Sequence, residues 1–135
     1  MSNPRQTLQV IAVPAFADNY LWLIMRQGRA IAVDPGQASG IEQALAQHHA
    51  QLEAILVTHH HSDHVGGLGA LTRRHPVPVH GPASEHIVGV TVPHQAGDHF
   101  EHLGLRFEVM AVPGHTLGHL AYYAREPGWL FCGDT

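Results

Sequence analysis

The sequence contains no lysine; its seven cations are all arginine, against 11 acidic residues and a net charge of -4. A nucleic-acid or anionic-membrane surface needs a basic patch, so neither is an expected partner. Cysteine occurs once, at Cys132. No internal disulfide can form, and a reducing compartment is expected. No apolar stretch is long enough to span a bilayer, and Met1 to Gln6 lack the apolar core of a signal peptide. A soluble cytoplasmic protein is the expectation. Charged residues are scarce at 13% while hydrophobic ones reach 44%, which excludes a disordered chain. A length of 135 residues implies one domain over 1–135. Such a chain buries about two thirds of its unfolded surface, enough for a core. What is abundant is histidine, with 14 copies.

The histidines concentrate in Thr58-His59-His60-His61-Ser62-Asp63-His64-Val65-Gly66-Gly67, directly after the apolar run Ala54-Ile55-Leu56-Val57. Imidazole and carboxylate are ligands that suit Zn, Fe or Mn. Side chains two apart in an extended segment share a side. His59 and His61 can therefore share one ion, while His60 points away and is read as structural. Asp63 and His64 arrive as the chain turns into a helix, and can bind a second ion. Paired catalytic ions lie roughly 3.5–4 Å apart. The helix N-terminus beside Asp63 favours anions there. A surface loop rarely carries this pattern right after a buried strand, so metal binding is expected rather than incidental histidine richness.

The rest of the chain reads as an α/β domain with a mixed sheet. Strands are expected at 7–13, 20–25, 30–34 and 54–58, the second and third joined by a Gln27-Gly28 hairpin. A helix is expected over about 40–50, with Ser39 as N-cap and Glu42 at the capping-box position. His48 and His49 fall in its last turn as polar or cationic groups. Val65, Leu68 and Leu71 suggest a short helix ending near Arg73-Arg74-His75-Pro76. Short strands follow at 77–80, 91–92 and 100–103, then a longer one at 105–112, and a hairpin pairs 120–124 with 129–132.

Two ligands per ion are too few. His115, in the loop Pro113-Gly114-His115-Thr116-Leu117-Gly118-His119, is the best further imidazole for the first ion. Asp134, after the last strand, is a natural bridging carboxylate. Strand ends that carry ligands are consistent with a site at one edge of the sheet. For Asp34, capping, support of a ligand and a direct role stay open. His119 is read as a hydrogen-bonding support rather than a ligand. His80, His86, His94, His99 and His102 are read as ordinary surface or core residues, and Cys132 as a small buried one.

These residues resemble a known family. His59-x-His61-x-Asp63-His64 with Gly66-Gly67 is similar to the signature of the metallo-β-lactamase fold superfamily. Val13-Pro14-Ala15-Phe16-x-Asp18-Asn19-Tyr20, Val33-Asp34-Pro35-Gly36, Pro113 to His119 and Leu130-Phe131-Cys132-Gly133-Asp134-Thr135 resemble the glyoxalase II (hydroxyacylglutathione hydrolase) family within it. The resemblance runs nearly the whole chain. It implies an αββα sandwich, of which this chain covers about the first αβ half, a mixed sheet with helices on one face. It implies two divalent metal ions, most often Zn, with Fe or Mn as options: His59, His61 and His115 on the first, Asp63 and His64 on the second, Asp134 bridging. Asp63 and Asp134 would orient the hydroxide. The implied reaction is hydrolysis of S-D-lactoylglutathione to glutathione and D-lactate, a step of methylglyoxal detoxification, by a monomer whose partner is a small glutathione thioester. Alternatives are a lactonase, β-lactamase, nuclease or persulfide dioxygenase of the same fold, or a non-catalytic metal-binding fragment. The resemblance also implies that the second half of the sandwich, the last histidine ligand, the glutathione-gripping residues and a helical C-terminal domain lie beyond Thr135. One sheet face is then expected to expose a large apolar patch.

Overall fold

A computed structural model of the chain describes residues 8–15, 19–59, 67–85, 87–112, 119–126 and 128–131. Strands β1 (Gln9–Ala15), β2 (Asn19–Arg26) and β3 (Arg29–Val33) form an antiparallel meander. Helix α1 (Ala38–Gln47) crosses over to β4 (Gln51–Leu56), and helix α2 (Leu68–Arg74) crosses to β5 (Val79–Pro82). β3, β4, β5 and β6 (Val92–His94) are parallel neighbours, giving a six-stranded mixed sheet in the order β1 to β6. β7 (His99–His102), β8 (Leu105–Ala111), β9 (Leu120–Ala124) and β10 (Trp129–Phe131) form a second, antiparallel sheet.

The first sheet is buried on both faces, which explains its unbroken apolar runs. Side chains alternate between two cores along each strand. In β3, Ala30 and Ala32 face the helices, whereas Ile31 and Val33 face the second sheet. Ile55 and Val57 likewise join Ile41, Leu45, Leu68 and Leu71 under the helices. Ala54 and Leu56 meet Leu105, Phe107, Val109 and Tyr122 of the second sheet. The layers are therefore helices, mixed sheet, antiparallel sheet, the first three of an αββα order. The inner face of the first sheet is covered by β7 to β10, while the opposite side of the second sheet carries the exposed Met110 and Leu130. At the seam, the buried Tyr122 hydroxyl donates to the Val57 carbonyl at 2.6 Å. Burial, then the charge of Asp34, push its pKa well above the ordinary tyrosine value, so it stays a donor. Tyr122→Phe removes the donor from that buried carbonyl and is expected to cost about 1–3 kcal/mol, read from the denaturant midpoint.

Element boundaries differ from the sequence expectation mainly at helix starts. Ser39 does not cap α1: the N-cap is Gln37, with extended backbone and no side-chain cap bond. The helix begins earlier because the preceding turn is already closed by backbone bonds from Gly36 N to Asp34 O and from Gly67 N to Pro35 O, each 2.8 Å. Glu42 is not half of a capping box either. Its carboxylate is taken by α2, accepting from His75 Nε2 at 2.6 Å and pairing with Arg74 at 3.1 Å. His48 is the C-cap of α1, and His49 follows with a positive φ of 50°. The strand expected at 77–80 starts at Val79.

Candidate metal centre

Asp34 and Thr58 follow the C-terminal ends of β3 and β4, the edge of a parallel sheet where ligand sites form. Asp34 adopts a left-handed φ of 50°, a conformation aspartate tolerates better than most residues. Its buried carboxylate accepts from Thr58 twice, from the backbone N–H to Oδ1 and from the hydroxyl to Oδ2, both at 2.8 Å. Thr58 Oγ1 also lies 2.9 Å from His59 Nδ1. A hydroxyl has one proton to give. Here it goes to Asp34, so His59 must be the donor to Thr58 and carries its proton on Nδ1. The lone pair is then on Nε2, the tautomer that coordination through Nε2 requires. The donor chemistry of His59 thus fits a cation, and Asp34, left open by the sequence, orients it through Thr58.

The same turn holds the far end of the histidine loop. Gly67 N donates to Pro35 O, and a Cβ on Gly67 would sit 2.6 Å from that oxygen and 2.8 Å from Ala38 N. Residues 34–38 therefore grip both described ends of the loop, Thr58 on one side and Gly67 on the other. Thr58 and Gly67 were not singled out from the sequence as anchors. The cue was present in Pro35-Gly36 after a buried strand and in a threonine at the end of an apolar run.

The second loop approaches the first at its own end. Leu120 N donates to Thr58 O at 2.8 Å. The buried ring of His119 stacks on that of His59, with centroids 4.4 Å apart and planes 17° from parallel. The structure therefore brings together His59, His119, Asp34 and Thr58. His60, His61, Asp63, His64, His115, Asp134, His86 and Cys132 lie outside the described residues. Three histidines expected to be ordinary, His80, His94 and His102, meet one another between the sheets, while His99 is exposed.

The sequence profile of the metallo-β-lactamase superfamily matches residues 17–135. The hydroxyacylglutathione hydrolase of Dechloromonas aromatica is 50% identical over 128 residues, which are 95% of this chain and 48% of the relative. That of Photobacterium profundum is 49% identical over 130 residues, 95% of this chain and 51% of the relative. The chain spans about half the length of these curated relatives. Among solved structures, the B3 metallo-β-lactamase BLEG-1 superposes with a TM-score of 0.82 at 22% identity, over 93% of this chain and 72% of that one. ETHE1 from Myxococcus xanthus gives 0.74 at 27% identity, over 87% and 53%. The helix–sheet–sheet order, the loop gripped at the ends of β3 and β4, and the profile match across most of the sequence converge on one conclusion: the chain belongs to the metallo-β-lactamase superfamily.

Proposed function

We propose that this chain is the metal-binding half of a hydroxyacylglutathione hydrolase, which cleaves the thioester of S-D-lactoylglutathione to glutathione and D-lactate. The observation that carries the reading is the Asp34–Thr58–His59 hydrogen-bond chain, which readies one imidazole of the His59-x-His61-x-Asp63-His64 loop for a cation. The level of identity to relatives bearing that name supports the substrate class. His59, His61 and His115 would hold one divalent ion, Asp63 and His64 the other, with Asp134 between them. When bound, the ion pair supplies hydroxide at neutral pH and polarises the carbonyl under attack.

The chain's own residues do the remaining work. Asp34 keeps His59 in one tautomer and one orientation. Asp63 and Asp134 accept a hydrogen bond from the attacking oxygen and aim it at the thioester carbon. The C–S bond breaks as the tetrahedral centre collapses, and the thiolate leaves without a strong general acid. No serine or cysteine nucleophile is required.

The test is thiol release from S-D-lactoylglutathione by the chain joined to the C-terminal half of one of these relatives and loaded with Zn, Fe or Mn. Turnover that disappears on chelation and returns on metal addition is expected. Tight metal binding without turnover would favour a non-catalytic fragment. Oxygen consumption with a single bound iron would favour a persulfide dioxygenase.

A further inference from the structure

Away from the candidate metal loop, five side chains from both sheets form one hydrogen-bonded line. Glu53 Oε2 lies 3.2 Å from His102 Nδ1, and His102 Nε2 lies 2.9 Å from His80 Nε2. His80 Nδ1 lies 2.7 Å from His94 Nε2, and His94 Nδ1 lies 3.0 Å from Asp98 Oδ2. Phe100 stacks on His80 at 4.0 Å and on His94 at 4.9 Å, fixing both rings. The ends are anchored as well. Arg29 pairs with Glu53 Oε1 at 2.6 Å, Leu103 N donates to Glu53 Oε2, and Gln95 N donates to Asp98 Oδ2. Arg26, bonded to the Leu103 carbonyl, and His99, whose charge bears on Asp98, also face the line.

The protons can be counted. Each of the four contacts needs one hydrogen between its two heteroatoms. Three neutral imidazoles carry three hydrogens, and two ionised carboxylates carry none. With three, one contact sets a lone pair against a lone pair. We propose that at neutral pH this line binds one extra proton, so that His80, His94 and His102 together carry four N–H hydrogens and a single positive charge, shared between the two end rings.

Three arrangements satisfy every contact, and the two that place the charge on an end ring, against a carboxylate, are favoured over the one that places it on His80 between two imidazoles. In those two, either His94 is the imidazolium, facing Asp98, or His102 is, facing Glu53. His80 is neutral in both, and its hydrogen moves between Nε2 and Nδ1 as the charge changes ends. Burial first, and then the charges of His102 and His94, lower the pKa of His80 to about 3, consistent with a charge kept off the middle ring. The Asp98 carboxyl is held below its ordinary value, first by its hydrogen bond with His94, as an ionised end requires. The line joins β4, β5 and β6 to β7, so the proton ties the two sheets together. His94 also lines a cleft of about 310 Å³ that His119 borders.

The experiment is a long-range proton–nitrogen NMR correlation on the ¹⁵N-histidine-labelled chain at pH 7.5, with rings assigned by single substitutions. Four protonated nitrogens across His80, His94 and His102 are expected; three would overturn the proposal. His102→Phe is the second arm. Two contacts then remain, His80 Nδ1 to His94 Nε2 and His94 Nδ1 to Asp98, and two neutral rings satisfy both. The count over His80 and His94 is expected to be two, and a count of three in that variant would also overturn the proposal.

Discussion

Asp34→Asn is expected to lower the metal affinity of the chain by about 10–100-fold while leaving it folded. The substitution is nearly isosteric, but it reverses one hydrogen bond. Thr58 N–H still needs an acceptor, which fixes the asparagine oxygen at the place of Oδ1. The amide nitrogen then takes the place of Oδ2 and donates to the Thr58 hydroxyl, where the carboxylate had accepted from it. The hydroxyl hydrogen is freed to turn toward His59 Nδ1. His59 must accept there, so its own proton moves to Nε2, and the lone pair for a cation is gone. Competition against a chromophoric chelator measures the affinity, and circular dichroism checks the fold. Unchanged affinity in a folded variant would show that the tautomer of His59 does not govern metal binding. Asp34→Ala differs instructively: it removes both acceptors from Thr58, a buried charge-assisted pair, and should also lower stability by about 2–4 kcal/mol.

Gly67→Ala is expected to be among the most damaging single methyl additions in the described chain. The reason is space rather than backbone conformation, since φ here is an ordinary -90°. The added Cβ would meet Pro35 O at 2.6 Å, Ala38 N at 2.8 Å and the Gln37 carbonyl carbon at 2.8 Å. All three are backbone atoms, so no side chain can rotate away. The 34–38 turn and the start of α2 must separate, which breaks the bond from Gly67 N to Pro35 O. Overpacking of this kind costs about 1–3 kcal/mol before the lost hydrogen bond is counted. The histidine loop loses the grip on its C-terminal end, so metal affinity should fall with stability. Gly69→Ala is the control: the site is open, exposed and helical, and should gain about 0.5–1 kcal/mol. Equal thermal midpoints for the two variants would refute the close-approach argument.

Much of the architecture is legible in local pattern. The apolar runs of β2, β3 and β4 announce strands buried on two faces, and Ile41, Ala44 and Leu45 mark the inner side of α1. Helix starts read less well. Ser39 with Glu42 fits a capping box in sequence, but the competing partners of Glu42 lie 32 and 33 residues away on α2. The make-up of the second layer was also illegible, because short strands such as 99–102 carry little period of their own and are defined by pairing with β8.

The sequence by itself determined the family and the spacing of the candidate ligands, because those ligands crowd into a few consecutive positions where side-chain direction follows from chain geometry. Tertiary structure decided how the loop is held and which histidines matter elsewhere. Asp34 reaches Thr58 across 24 residues, and Glu53 reaches His102 across 49. Such contacts depend on strand order and register, which set where distant side chains meet and which proton each ring must carry.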